Sequence, residues 1–170
     1  DGIKIDYDGT SYYTESLHEM IEMYKEKCGA KKVLIAGCSN GGYMTMLLAT
    51  HYTTEYDGYV LICEAMGDHC LSDADLQDIK DLPLYFVFAD DDPIVDPTMH
   101  ELPTIARLKA MGASNLHVSE TEHVVDLSGK YNNSDGTPHQ YFGHNSWIYF
   151  FNNETSCEEC GKDAWHWMAE

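Results

Sequence analysis

Three short runs in this chain are apolar on every residue: Val33 to Ala36, Tyr59 to Cys63 and Leu84 to Ala89. A strand with one wet face alternates, whereas a strand covered on both faces does not, so these runs are expected to lie inside a parallel sheet. Leu116-His117-Val118-Ser119 is read as a fourth strand. Between the runs the period changes. Leu17, Met20, Ile21, Tyr24 and Cys28 recur at helical steps, with Gly29 placed to stop the helix. Tyr43 to Thr50 reads as a mostly apolar helix, residues 72 to 80 as a short one, and Pro97 to Met111 as one halted by Gly112. His144 to Phe151 and Lys162 to Ala169 complete the helical pattern, and residues 132 to 138 read as loop. Strand and helix in alternation imply an α/β chain, a mainly parallel sheet with helices on both faces and right-handed crossovers. At 170 residues, with no linker or repeat, it is expected to be a single domain, 1–170.

The first strand leads into Gly37-Cys38-Ser39-Asn40-Gly41-Gly42 and then into a helix. This is G-x-S-x-G in the strand–turn–helix setting that gives the motif meaning. In such a turn the serine sits at the tip in a strained conformation. Small residues are expected on either side, here Gly37 and Gly41. The backbone N–H of Asn40, at the helix N-terminus, is placed to stabilise an oxyanion. The competing reading is a glycine-rich turn that binds phosphate or nothing.

A serine nucleophile needs a base, and the base an orienting acid. Asp90-Asp91-Asp92-Pro93 follows the third strand, at the edge that should carry Ser39. Asp92 is chosen because the strand ends at Ala89 and the loop needs two residues to reach across; Asp90 and Asp91 are read as solvated turn residues. No D-x-D-x-D-G pattern favours calcium there. Of nine histidines, His117, His123, His139, His144 and His166 come late enough in the chain. His144 is preferred because Gly143 lets its backbone approach closely and a helix follows; His123 is the runner-up. Met66 and His69 lie at the same edge and are candidates for substrate contact, while Trp147, Tyr149, Phe150 and Phe151 read as helix packing.

With 29 acidic residues against 10 Lys and Arg, the net charge of −19 repels phosphate, so nucleic acid and anionic membranes are excluded as partners. No run of about 18 apolar residues occurs. Asp1 to Asp8 is unlike a signal peptide, and a chain opening on Asp1 is expected to be a processed form or a piece of a longer one. Cys157-Glu158-Glu159-Cys160 is a lone C-x-x-C without a second pair at zinc-ribbon or finger spacing. With His166 as the third ligand in view, it reads as a local disulfide or two free thiols, and no metal or cofactor is expected. The redox compartment stays open.

Gly37 to Tyr43, the acid strand through Asp92-Pro93-Ile94-Val95, and Gly143-His144-Asn145-Ser146-Trp147 together resemble the α/β-hydrolase superfamily, in its esterase and prolyl-oligopeptidase-like branch. The likeness runs over about residues 11 to 151. It implies a serine hydrolase cleaving carboxylic esters with Ser39, Asp92 and His144, or a peptidase of the same mechanism. A non-catalytic interaction module on this fold is the rival. The insertion before His144 resembles secreted-type and feruloyl-esterase-like enzymes more than lipases, which implies a small or carbohydrate-linked ester as substrate and favours secretion. The family carries further strands upstream, with a second oxyanion donor among them. By that likeness the chain corresponds to the C-terminal half of the fold, strands five to eight, the rest coming from a longer chain or another copy.

Overall fold

The computed structural model describes residues 7–170. The first six residues, part of the stretch read as an opening loop, lie outside the described residues. Helix α1 (Thr14–Cys28) ends on Gly29, whose φ of 63° is the left-handed cap that a side chain disfavours. Strand β1 (Leu34–Cys38), helix α2 (Asn40–His51) and strand β2 (Gly58–Ile62) follow. Helix α3 (Asp73–Ile79) starts on a capping box, in which Ser72 and Asp75 bond each other's backbone N–H. Then come β3 (Leu84–Ala89), α4 (Glu101–Ala110), β4 (Leu116–Thr121), α5 (Trp147–Phe151) and α6 (Ala164–Met168).

The strands form one parallel sheet in the order β1-β2-β3-β4, with Cys38 beside Ile62 and Ile62 beside Val87. Every residue of β2 and β3 is buried. Alternation then sorts their side chains to opposite faces. Tyr59, Leu61, Phe86 and Phe88 pack with residues of α2, α3 and α4. Val60, Ile62, Tyr85 and Val87 pack with Phe150 of α5 and Trp167 of α6. Helices therefore cover both faces. β1 and β4 are the outer strands, and β1 is only half-buried, with Ala36 exposed. Among the described residues no helix is long and apolar enough to cross a membrane.

Several local expectations are corrected. The helix read from Pro97 starts only at Glu101; residues 96–99 form turns in which Asp96 Oδ1 accepts from the Thr98 N–H and hydroxyl. The helix read from His144 is a 3-10 turn over Gly143–Asn145 followed by one and a half turns of α5. Met20 and Tyr24, counted on the core face of α1, are about half exposed, so only Leu17 and Ile21 of that stripe pack inward.

Candidate active site

The C-terminal ends of parallel strands in register share one edge, and the chemistry-bearing residues gather there. Ser39 follows β1, Cys63 and Glu64 follow β2, Asp90 to Asp92 follow β3, and His123 lies just past β4.

Ser39 has φ 56° and ψ −115°, a conformation that costs a non-glycine residue of order 1–3 kcal/mol. The surrounding backbone holds it there. Its N–H donates to Ile62 O at 2.9 Å, its carbonyl accepts from Tyr43 N–H at 3.0 Å, and Thr45 Oγ1 donates to Gly41 O at 2.9 Å. The tight positions differ from the expected pair. A Cβ on Gly37 would run into the Gly41 carbonyl and lie 2.7 Å from Thr45 Oγ1. A Cβ on Gly42 would come 2.7 Å from Glu64 Cα, whereas one on Gly41 would meet nothing within 4 Å. Gly37 and Gly42, not Gly41, are the sterically required glycines. Gly41 lines an open groove beside Ile35 and Ala36 of β1.

Ser39 Oγ lies 3.0 Å from His144 Nε2, and His144 Nδ1 lies 2.7 Å from Asp92 Oδ2. The Asp92 side chain is 1% exposed and that of His144 12%. The second Asp92 oxygen accepts from the N–H groups of Ile94 at 2.8 Å and Val95 at 3.0 Å, so the buried carboxylate is fully satisfied and fixed in direction. With Nδ1–H donated to Asp92, Nε2 presents a lone pair to the serine hydroxyl. Trp147 stands edge-on to the His144 ring, centroids 5.3 Å apart. Gly143 is needed for the approach: a Cβ there would fall 2.6 Å from the Asp91 carbonyl oxygen. Asn40 is the first residue of α2, and a helix leaves its first N–H groups without intrahelical partners.

Asp91 is not the solvated turn residue expected. Its Oδ2 lies 2.8 Å from His123 Nδ1 and accepts from Gln140 Nε2 at 3.2 Å. The two acid–histidine pairs sit side by side, Asp92 with His144 and Asp91 with His123. Met66 belongs to the core rather than to an exposed lining, and His69 is exposed.

Two buried groups, Cys63 and Glu64, lie beneath this edge, and sequence reasoning passed over Glu64. The Cys63 thiol has its sulfur within 4.8 Å of the facing Asp92 and His144 atoms; burial pushes its pKa far up, so it remains a thiol. Glu64 is fully buried, accepts from Met66 N–H at 2.8 Å through one oxygen, and is pushed up to about 8 by desolvation. Glu101, also buried, is raised by desolvation and by the Glu64 charge. The signal available was Glu64 inside an otherwise apolar strand end.

No family model matches the sequence, and a search of curated proteins finds no match. Among solved structures the chain is similar to the crystal structure of a thermostable esterase, with a TM-score of 0.63 and 21% identity. The match covers 91% of this chain and 36% of the esterase chain, so the chain spans about a third of that protein's length. At this identity the likeness is one of fold: a parallel α/β sheet with helices on both faces, corresponding to part of that esterase's architecture.

Proposed function

We propose that the chain carries the acid–base half of a serine hydrolase acting on carboxylic esters. The observation that carries this reading is the unbroken hydrogen-bonded relay from Ser39 Oγ through His144 to the buried Asp92. His144 Nε2 takes the hydroxyl proton as Ser39 Oγ bonds to the ester carbonyl carbon. The carbonyl oxygen becomes an oxyanion facing the α2 N-terminus, where the Asn40 N–H donates to it. Collapse of that intermediate breaks the bond to the alcohol, which leaves with the proton from His144. Water then attacks the acyl-enzyme with His144 again as base, and Ser39 is regenerated. Asp92 keeps the imidazole in the required tautomer and stabilises the imidazolium. The esterase likeness in fold supports the ester over the amide; a peptidase would use the same groups.

Upstream strands supplied by a longer chain, or by another copy, complete the machine in this reading. Two features support it. Among the described residues no strand pairs with the outer edge of β1, and an open apolar groove of about 400 Å³ beside it is lined by Leu17, Ile21, Ile35, Ala36 and Met44. A paired core strand left open is an aggregation hazard that proteins ordinarily cover. A second oxyanion donor on the missing part is worth roughly a hundredfold to a thousandfold in rate.

The test is a panel of short-chain aryl and carbohydrate-linked esters set against proline-containing amides, with and without upstream sequence. Ester turnover that rises at least a hundredfold when that sequence is restored is the expected result. Amide turnover alone would make the protein a peptidase, and no turnover in any form would leave only the interaction-module reading.

A further inference from the structure

A second cluster lies far from Ser39 in the chain, where the C-terminal segment folds back on β4. Glu158 N–H donates to Val118 O at 2.9 Å, and Ser156 N–H to Ser119 Oγ at 3.0 Å, which lays residues 156–158 along the outer side of that strand. This brings Cys157 and Cys160 to His117, a residue about forty positions earlier, and not to His166, whose ring is bonded to Asp163. Both thiols are free.

The distances are those of a coordination shell. Cys157 Sγ and Cys160 Sγ each lie 3.5 Å from His117 Nδ1, and all three donor atoms fall within 4.8 Å of one another. Metal–sulfur and metal–nitrogen bonds of about 2.3 and 2.0–2.1 Å, at a tetrahedral angle, separate sulfur from nitrogen by about 3.6 Å. The loop is shaped to hold sulfur in place. Cys157 N–H donates to Lys162 O, Gly161 N–H returns to Cys157 O at 2.7 Å, and Gly161 takes a φ of 69° to close the turn.

The histidine is prepared as well. His117 Nε2 lies 3.1 Å from Asn115 Oδ1, an acceptor that fixes the proton on Nε2 and leaves the Nδ1 lone pair toward both sulfurs. Tyr85 stacks on the same ring at 5.8 Å between centroids, and Trp167 leans on it at 5.8 Å. Hydrogen bonding of the remote nitrogen and packing of the ring are what a metal-binding imidazole needs and a spectator does not.

We propose that Cys157, Cys160 and His117 form a zinc site, with the fourth position open toward solvent on the exposed Cys160 side. Two thiolates and a neutral imidazole suit a borderline-soft divalent cation, and their charge cancels that of the ion. The site pins the C-terminal segment to the outer strand β4. It is distinct from Ser39 and does not rest on the hydrolase reading.

The full-length protein, kept reduced, is loaded with zinc, freed of excess and assayed for bound metal, and in parallel loaded with cobalt(II). One zinc per chain and a thiolate-to-cobalt charge-transfer band are expected. Cys160→Ser, at an exposed position, should remove both while leaving the circular dichroism unchanged. Asn115→Ala should weaken zinc binding about 10–100-fold through the histidine it orients, an effect that a purely structural contact would not have. Zinc at trace stoichiometry in the reduced protein, or both thiols alkylated equally fast with and without zinc, would overturn the proposal.

Discussion

Asp92 and His144 are 52 positions apart in sequence, yet their contact is the best-satisfied polar pairing at the site. Both carboxylate oxygens are engaged, so removing the charge changes the tautomer of His144 more than its position. Asp92→Asn should therefore cost on the order of 10⁴ in kcat with little loss of thermal stability, measured with the fastest ester of the panel. Glu64 poses the opposite situation, a carboxyl whose burial favours the neutral form. Its folded-state pKa of about 8 stands above the ordinary 4.5. Below the ordinary value both folded and unfolded chains hold the proton and pH has no effect. As pH rises from there to about 8, the unfolded chain releases the proton first, so stability falls across that window. Glu64→Gln, neutral at every pH, should raise the melting temperature relative to the parent by more at about pH 8.5 than at about pH 4. An equal difference at both would contradict the assignment.

At the scale of elements the elbow between β1 and α2 makes a sharp distinction among three neighbouring glycines. Gly37→Ala and Gly42→Ala force backbone atoms apart and should destabilise the fold by several kcal/mol or prevent folding. Gly41→Ala meets open space in a helix first turn and should be neutral within about 1 kcal/mol. Thermal unfolding of the three variants checks this. The elbow was legible because its signal is local: an apolar run, a small-residue turn and a helix, all within 20 residues. The inner strands were legible for the same reason, since burial on both faces leaves no alternation. Which glycine is tight was not legible, because Gly42 is constrained by Glu64, a neighbour across the sheet. The pairing of Asp91 with His123 and of His117 with the C-x-x-C pair escaped for the same reason: both depend on how a loop lies against a strand. Residues 132 to 138, read as loop, are closed by an isolated bridge at Asn132–Pro138, and a second bridge at Val125–Gln140 adds antiparallel order to the insertion.

For the whole molecule, the sheet's two sides are unequal. β3 is enclosed between β2 and β4, and its Phe86 is fully buried; Phe86→Ala should cost about 3–5 kcal/mol by chemical denaturation. β1, which leads into the serine, is paired on one side only among the described residues, with Ala36 exposed where β2 and β3 have no exposed residue. The hydrogen-bonded Ser39–His144–Asp92 relay thus begins at the end of a strand whose outer side no described strand pairs. The proposed hydrolase stands on Ser39 as its nucleophile, which covalent labelling tests without knowledge of the substrate. A fluorophosphonate probe should modify the full-length protein at Ser39, and labelling should vanish in Ser39→Ala and fall sharply in His144→Ala. Absence of labelling, or labelling that survives in Ser39→Ala, would contradict the account.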